Sequence, residues 1–98
     1  MSKPLHQIWR LGCAGAPLEE DDQNNFERMA RNRFYTFQLG MEHAAQQQTE
    51  TAPLVKGMAS ELLESPGLER AWLNSEFSEA LHGLAVKREI SARFEGSR

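Results

Sequence analysis

The sequence is poor in cysteine and in long apolar runs. Cys13 is the only cysteine, so no disulfide can form within the chain. No stretch approaches the roughly 18 consecutive apolar residues of a membrane span. The opening residues, MSKPLHQIWRLGCAGAP, lack the continuous apolar segment of a secretory signal. These absences predict a cytoplasmic protein without a membrane span.

Clustered positive charge is also missing. The chain has 14 acidic and 11 basic side chains, a net charge of −3, and no basic stripe longer than one helical turn. Binding to a phosphate backbone requires a concentrated positive surface. The sequence therefore predicts that nucleic acid is not a partner.

The sequence contains none of the common catalytic templates. It has no glycine-rich phosphate loop, no G-x-S-x-G or H-E-x-x-H motif, and no paired cysteines. The three histidines, His6, His43 and His82, are scattered along the chain. Because no nucleophile and base stand in a recognisable arrangement, the sequence predicts a protein that is not an enzyme and needs no cofactor.

What the sequence does contain is a helical pattern of apolar residues. Apolar side chains recur every three or four positions, a spacing that places them on one face of a helix. At 98 residues the chain has room for one domain. We therefore expect a single all-α domain over residues 1–98, a compact bundle of four or five helices at about 4–11, 20–47, 53–64, 66–73 and 76–94.

The apolar faces of these helices predict the core. The long helix begins with carboxylates, which complement the positive end of a helix. Its broad apolar sector contains Phe26, Met29, Ala30, Phe34, Phe37, Met41, Ala44 and Ala45. Before the fourth helix, Ser65 is a capping candidate and Pro66 suits the first helical position. Trp72 falls on that helix's apolar face, which predicts a core anchor. On the last helix the expected core face contains Phe77, Ala80, Leu81, Leu84 and Ala85.

Arg33 lies inside the apolar sector of the long helix. An unpaired guanidinium cannot remain buried, because removing a charge from water without a partner is very costly. Two interpretations follow from the sequence: a snorkelling or salt-bridged structural arginine, or a site for an anion or carboxylate that uses the planar guanidinium fork.

Two apolar ridges face away from the main stripes. Tyr35 and Leu39 form one on the long helix, and Val86, Ile90 and Phe94 form the other on the last helix at i, i+4 and i+8. Such ridges are either covered by the fold or available for self-association or partner binding. The sequence alone favours neither a core position nor an interface position for these residues.

Glu79 and His82 form a Glu-x-x-His spacing. On a continuous helix this spacing places a carboxylate and an imidazole on one face, as in di-iron and di-manganese bundles. Those sites require two such motifs and further glutamates, whereas this chain has one. A solvated polar face is the main interpretation, and a metal- or ligand-binding bundle with Glu79 and His82 is the alternative.

The stretch LLESPGLERAWLNSEF at residues 62–77, with the aromatic helix before it, resembles a group of small uncharacterised bacterial helical proteins. The likeness covers about half the chain. Many members carry an N-terminal membrane segment that has no counterpart in this sequence. The resemblance implies a helical fold and no activity, and the matching positions are Phe26, Phe34, Ser65, Pro66, Gly67, Trp72 and Phe77.

These patterns together predict a function by protein binding. The expected molecule is a small soluble helical protein that acts as a homodimer or as a regulatory partner of another protein. The candidate binding residues are the two apolar ridges, with Arg33 as a possible anion or salt-bridge site.

Overall fold

A computed structural model describes residues 3–96, and every regular element in that range is helical, which confirms the predicted all-α class. The first four helices begin and end within two residues of their predicted bounds. In chain order the elements are α1 (Leu5–Cys13), α2 (Glu20–Gln46), α3 (Ala52–Glu64), α4 (Pro66–Leu73), a 3-10 helix (Glu76–Glu79) and α5 (Leu81–Gly96).

Helix α2 supplies the largest part of the core. Its first turn carries three carboxylates, which complement the helix dipole. Within the predicted apolar sector Met29 is only half-buried and Ala45 is exposed. The other members face the remaining helices and are buried: Phe26, Ala30, Phe34, Phe37, Met41 and Ala44.

Trp72 is the aromatic centre of the core, as predicted. Its indole is 4% exposed and meets Phe34 edge to face, with ring centroids 5.0 Å apart. Phe37 contacts the same indole with centroids 6.1 Å apart, and Phe77 packs edge to face on Phe34. These pairs have the edge-to-face geometry that aromatic quadrupoles favour, and they join α2, α4 and the 3-10 helix.

The turn after α1 depends on Gly15. This residue has a φ of +80°, a left-handed conformation that glycine adopts without a Cβ penalty. The Gly15 N–H donates to the carbonyl of Gly12, and the Ala16 N–H donates to that of Leu11, each at 3.0 Å. This is the Schellman arrangement of helix C-termini. The helix therefore ends just before Gly15, two residues beyond its predicted end.

Helix α2 ends in the same way, but with a glutamine at the left-handed position. Gln48 has a φ of +55°, and the Thr49 N–H donates to the Ala44 carbonyl at 2.9 Å. A side chain in this conformation costs about 1–2 kcal/mol. The hydrogen bonds of the motif hold Gln48 in this conformation.

The prediction of one continuous helix over 76–94 is wrong. Residues Glu76–Glu79 form a 3-10 helix, and Ala80 is extended, with ψ of 165°. Gly83 then lies so close to the preceding segment that a Cβ there would be 1.9 Å from the Phe77 carbonyl oxygen. This close approach requires the break, since the chain must fold back on itself between Phe77 and Gly83.

The break changes which face of α5 points inward. Val86 is fully buried, whereas Leu81 is 78% exposed and Leu84 is 38% exposed. The predicted core face of the last helix, which included Ala80, Leu81 and Leu84, is therefore wrong for those three residues. These three side chains were expected in the core and lie on the surface instead.

The molecule is flat. Its extents are 46 × 36 × 20 Å and its radius of gyration is 14.4 Å, against about 13 Å for a globular chain of this length. A thickness of 20 Å corresponds to about two helix diameters. A layer this thin leaves an outward face on each helix, and several of those faces carry apolar side chains.

Candidate functional site

An apolar groove lies between α4 and α5 and has a volume of about 420 Å³. We call it the α4–α5 groove. Leu62, Trp72 and Ile90 form its base, and Leu73, Leu84 and Phe94 stand at its edges. The edge residues are well exposed: Leu73 is 66% and Phe94 is 63% accessible to solvent. The groove thus combines a buried aromatic base with projecting apolar side chains.

Charged residues line the same groove on opposite sides. Glu69 on α4 lies on one side and Lys87 on α5 lies on the other, and Glu79 in the 3-10 helix also lines the groove. Among residues 3–96 none of these three forms an ion pair within the chain. The α4 side of the groove therefore carries Glu69 and the α5 side carries Lys87, with apolar residues between them.

Two of the five predicted binding residues line the groove. Ile90 is half-buried in its base and Phe94 projects from its edge. Val86, also predicted as a binding residue, belongs to the core instead. It is 0% exposed, because the break at Ala80 turns that position inward. The other ridge, Tyr35 and Leu39, is 54% and 46% exposed on α2 and does not line the groove.

The groove keeps its shape because α5 is tied to α3. The Arg93 guanidinium donates to the Ser60 hydroxyl at 2.9 Å and to the Lys56 carbonyl at 3.0 Å. Arg93 also lies 3.9 Å from the Glu89 carboxylate one turn earlier. The hydrogen bonds from Arg93 to Ser60 and Lys56 were not predicted from the sequence, because these partners lie more than 30 positions away and share no motif with Arg93.

Arg33 is paired within the chain. Its guanidinium donates two hydrogen bonds to the Glu61 carboxylate on α3, one of them from Nε to Oε1 at 3.2 Å. Both side chains are about one-third exposed. The planar fork thus binds a carboxylate, as the sequence suggested it could, but that carboxylate belongs to α3 and the pair lies outside the α4–α5 groove.

Glu79 and His82 do not share a helix. Glu79 is the last residue of the 3-10 helix, His82 is in the first turn of α5, and the extended Ala80 lies between them. The spacing argument for a metal site assumed a continuous helix, and that assumption is wrong. Within the part of the chain that the structure describes, no three His, Cys, Asp or Glu side chains form a group that could hold a metal ion.

A second cavity, of about 300 Å³, lies where α1, α2 and α4 meet. We call it the α1–α2–α4 cleft. Phe26 and Phe34 form its apolar base, and small residues form much of its sides. The polar side chains that line it are Gln23, Glu27, Arg31, Arg70, Asn74 and Ser75. No sequence motif predicted this cavity, because its residues come from three separate segments.

Arg31 stands at the edge of this cleft and is held in place. It donates to both carboxylate oxygens of Glu76, at 3.0 and 2.5 Å, and its guanidinium lies 5.5 Å from the centre of the Phe77 ring. The Arg31 guanidinium lowers the pKa of the Glu76 carboxyl to about 2. The pair joins α2 to the 3-10 helix.

Cys13 is half-buried at the end of α1. Burial raises the pKa of its thiol, a hydrogen bond with Ser65 lowers it in part, and the Glu61 charge raises it further. Because its pKa is raised, the thiol is protonated at neutral pH and has little nucleophilic character. Ser65 precedes α4 but makes no capping hydrogen bond with its side chain.

Comparison with protein-family models, curated proteins and solved structures gives no match for this chain. No helix within residues 3–96 is both long and apolar enough to cross a membrane.

Proposed function

We propose that the protein functions by binding protein, as a homodimer joined through the α4–α5 groove. The observation that carries the proposal is the exposure of Leu73 and Phe94, at 66% and 63%, beside a groove based on Trp72. Burying an exposed side chain of this size contributes about 1.5–3 kcal/mol. Aromatic residues in a central, well-packed depression are typical anchors of protein interfaces.

A second copy is the proposed occupant because one patch carries both projecting side chains and a depression. In a twofold dimer the same patch lies on both subunits, so that each projection meets the depression of the other. Here Leu73 and Phe94 project, and Leu62, Trp72 and Ile90 form the depression. One patch thus supplies both halves of the contact.

The charges support the same pairing. A twofold axis parallel to the groove, in the plane of the contact, sets the α5 side of one copy against the α4 side of the other. Lys87 on α5 of each copy then faces the α4 side of its partner, which carries Glu69. Opposite charges at the edge of an apolar contact orient it and disfavour wrong partners.

This proposal assigns the protein a binding role without a catalytic step or a resident cofactor, in the cytoplasm. The half-buried Cys13, with its raised pKa, offers no activated nucleophile. A single free thiol is also typical of proteins from a reducing compartment.

Charge reversal tests the pairing directly. We expect Lys87→Glu and Glu69→Lys each to weaken the dimer about tenfold or more, since like charges then face each other. Combining both changes restores opposite charges and is expected to recover most of the affinity. Sedimentation equilibrium measures all three dissociation constants.

Arg88→Glu is the matched control, because Arg88 is exposed beside Lys87 but does not line the groove. It is expected to leave the dissociation constant close to that of the wild type. A double variant as weak as either single variant, or a control as damaging as Lys87→Glu, contradicts the proposed pairing.

A further inference from the structure

We propose that the α1–α2–α4 cleft binds a small organic monocarboxylate with an apolar body, and that Arg70 holds the carboxylate. This inference concerns a different face of the molecule from the α4–α5 groove and does not depend on the homodimer. It rests on the shape of the cleft, the composition of its lining and the distribution of charge within it.

The cleft has the size of a small-ligand site. Its volume of about 300 Å³ lies at the lower end of ligand pockets, and its lining combines polar and apolar residues. At about 30 Å³ for each water-sized group, the space corresponds to a ligand of about ten non-hydrogen atoms. The apolar part of the cleft's lining consists of Ala16, Ala30 and Ala71, above the almost fully buried Phe26 and Phe34.

Gly15 leaves space at the edge of this cleft. Gly15 has a φ of +80°, a conformation that favours glycine, and its missing side chain leaves space beside Arg70. The Arg70 Nη2 lies 3.9 Å from the position that a Cβ on Gly15 would occupy. The guanidinium is therefore placed directly beside the open space of the cleft.

Arg70 is the cation of the cleft that has no carboxylate of its own. Arg31 is neutralised by two hydrogen bonds to Glu76. Within residues 3–96 Arg70 forms no salt bridge and no side-chain hydrogen bond, although it lines the cleft. A guanidinium fork binds a carboxylate with two parallel hydrogen bonds.

The remaining charge in the lining favours a monocarboxylate over a phosphate. Glu27 also lines the cleft and accepts a hydrogen bond from Gln23 at 3.3 Å. Its negative charge repels a dianion more strongly than a monoanion. Asn74 and Ser75 add neutral hydrogen-bonding groups, which suit the polar end of a singly charged ligand.

Amide chemical shifts of the full chain test the inference. Phenylacetate, phenyl phosphate and the neutral 2-phenylethanol are titrated into the protein. We expect phenylacetate to shift the amides of Gly12, Gly15, Ala71 and Asn74 in a saturable way, and to bind more tightly than the other two. Shifts that are unsaturable, or that map elsewhere, overturn the inference, as does equal binding of the neutral alcohol.

Two variants separate a built site from general attraction of an anion to exposed arginines. Arg70→Gln is expected to weaken phenylacetate binding about tenfold, the value of a lost charged hydrogen bond. Arg28→Gln, on an exposed arginine of α2 that does not line the cleft, is expected to bind as the wild type. Equal affinity of Arg70→Gln and Arg28→Gln overturns the assignment. An unchanged circular dichroism spectrum shows that both variants are folded.

Discussion

The Trp72 ring meets Phe34 edge to face, with planes at 83° and centroids 5.0 Å apart. Phe34 is 1% exposed and also contacts Phe77. The base of the α4–α5 groove therefore rests on α2, because Trp72 contributes to both the groove and the core. A change at Phe34 should affect the stability of the whole domain.

We predict that Phe34→Ala lowers the free energy of unfolding by about 3–5 kcal/mol, the usual cost of removing a buried aromatic side chain. Tyr35→Ala is the matched control, since Tyr35 is the next residue but is 54% exposed, and a change of less than about 0.5 kcal/mol is expected. Urea unfolding measures both. Equal destabilisation by the two variants would contradict the orientation of α2.

Gly67 and Gly57 should respond to alanine with opposite signs. A Cβ on Gly67 would lie 1.7 Å from the Gly12 carbonyl oxygen, so α1 and α4 must move apart, at a cost of about 1–3 kcal/mol or more. A Cβ on Gly57, within α3, meets nothing within 4 Å, and alanine there should stabilise by about 0.5–1 kcal/mol. Thermal unfolding of both variants checks this, and a stabilising Gly67→Ala would contradict the packing of α1 on α4.

Gln48→Gly should stabilise the protein. Gln48 holds a φ of +55° at the end of α2, a conformation that costs about 1–2 kcal/mol for a residue with a side chain. After the greater unfolded-state entropy of glycine is subtracted, we expect a gain of about 0.5–1 kcal/mol. The control Gln47→Gly, at a φ of −84°, should destabilise. Chemical denaturation distinguishes these signs, and a destabilising Gln48→Gly would disprove the left-handed turn.

The Arg31–Glu76 pair should contribute stability that depends on pH. The pKa of Glu76 is lowered to about 2, first by the side-chain hydrogen bond from Arg31. A carboxylate with a lowered folded pKa stabilises fully above its unfolded pKa, and that contribution is lost as pH falls towards the folded value. The stability difference between wild type and Glu76→Gln should therefore shrink as pH falls from the ordinary glutamate range towards 2.

A carboxyl carbon NMR titration measures the same pair directly. The Glu76 resonance should titrate near pH 2 in the wild type and closer to the ordinary glutamate value in Arg31→Met. An unshifted Glu76 in the wild type would show that the two side chains do not pair in solution.

Apolar periodicity and the positions of proline were sufficient to predict most helices. Helix α2 was predicted at 20–47 and is observed at Glu20–Gln46, and α4 was predicted with the bounds it has. The apolar spacing and Pro66 act locally, so that neighbouring sequence determines these elements, whereas the predicted side-chain cap of Ser65 does not form. The inward position of Trp72 follows from the same local pattern.

The break before α5 could not be predicted in this way. It depends on Gly83 packing against the carbonyl of Phe77, a contact that exists only after the chain has turned. Because the break was not predicted, the buried face of α5 was also wrong. Val86 was assigned to a possible interface, and Leu84 was assigned to the core. A glycine six residues after an aromatic residue carries no local signal of a close approach.

The polar contacts and cavities depend on residues that are distant in sequence. Arg33 finds Glu61 28 positions away, and Arg93 finds Ser60 33 positions away. The α1–α2–α4 cleft joins three segments, and its Arg70 had no distinguishing pattern. Such pairings follow from how the helices pack, which the single sequence does not encode in a recognisable motif.

The oligomeric state of the wild-type protein tests the central claim most directly. Sedimentation equilibrium at high micromolar concentration should give twice the 11.1 kDa mass of the chain, and Phe94→Asp should return the mass to that of one chain. Leu39→Asp, an exposed change on α2 outside the groove, should remain dimeric. A wild type that sediments as one chain at every concentration would contradict the homodimer.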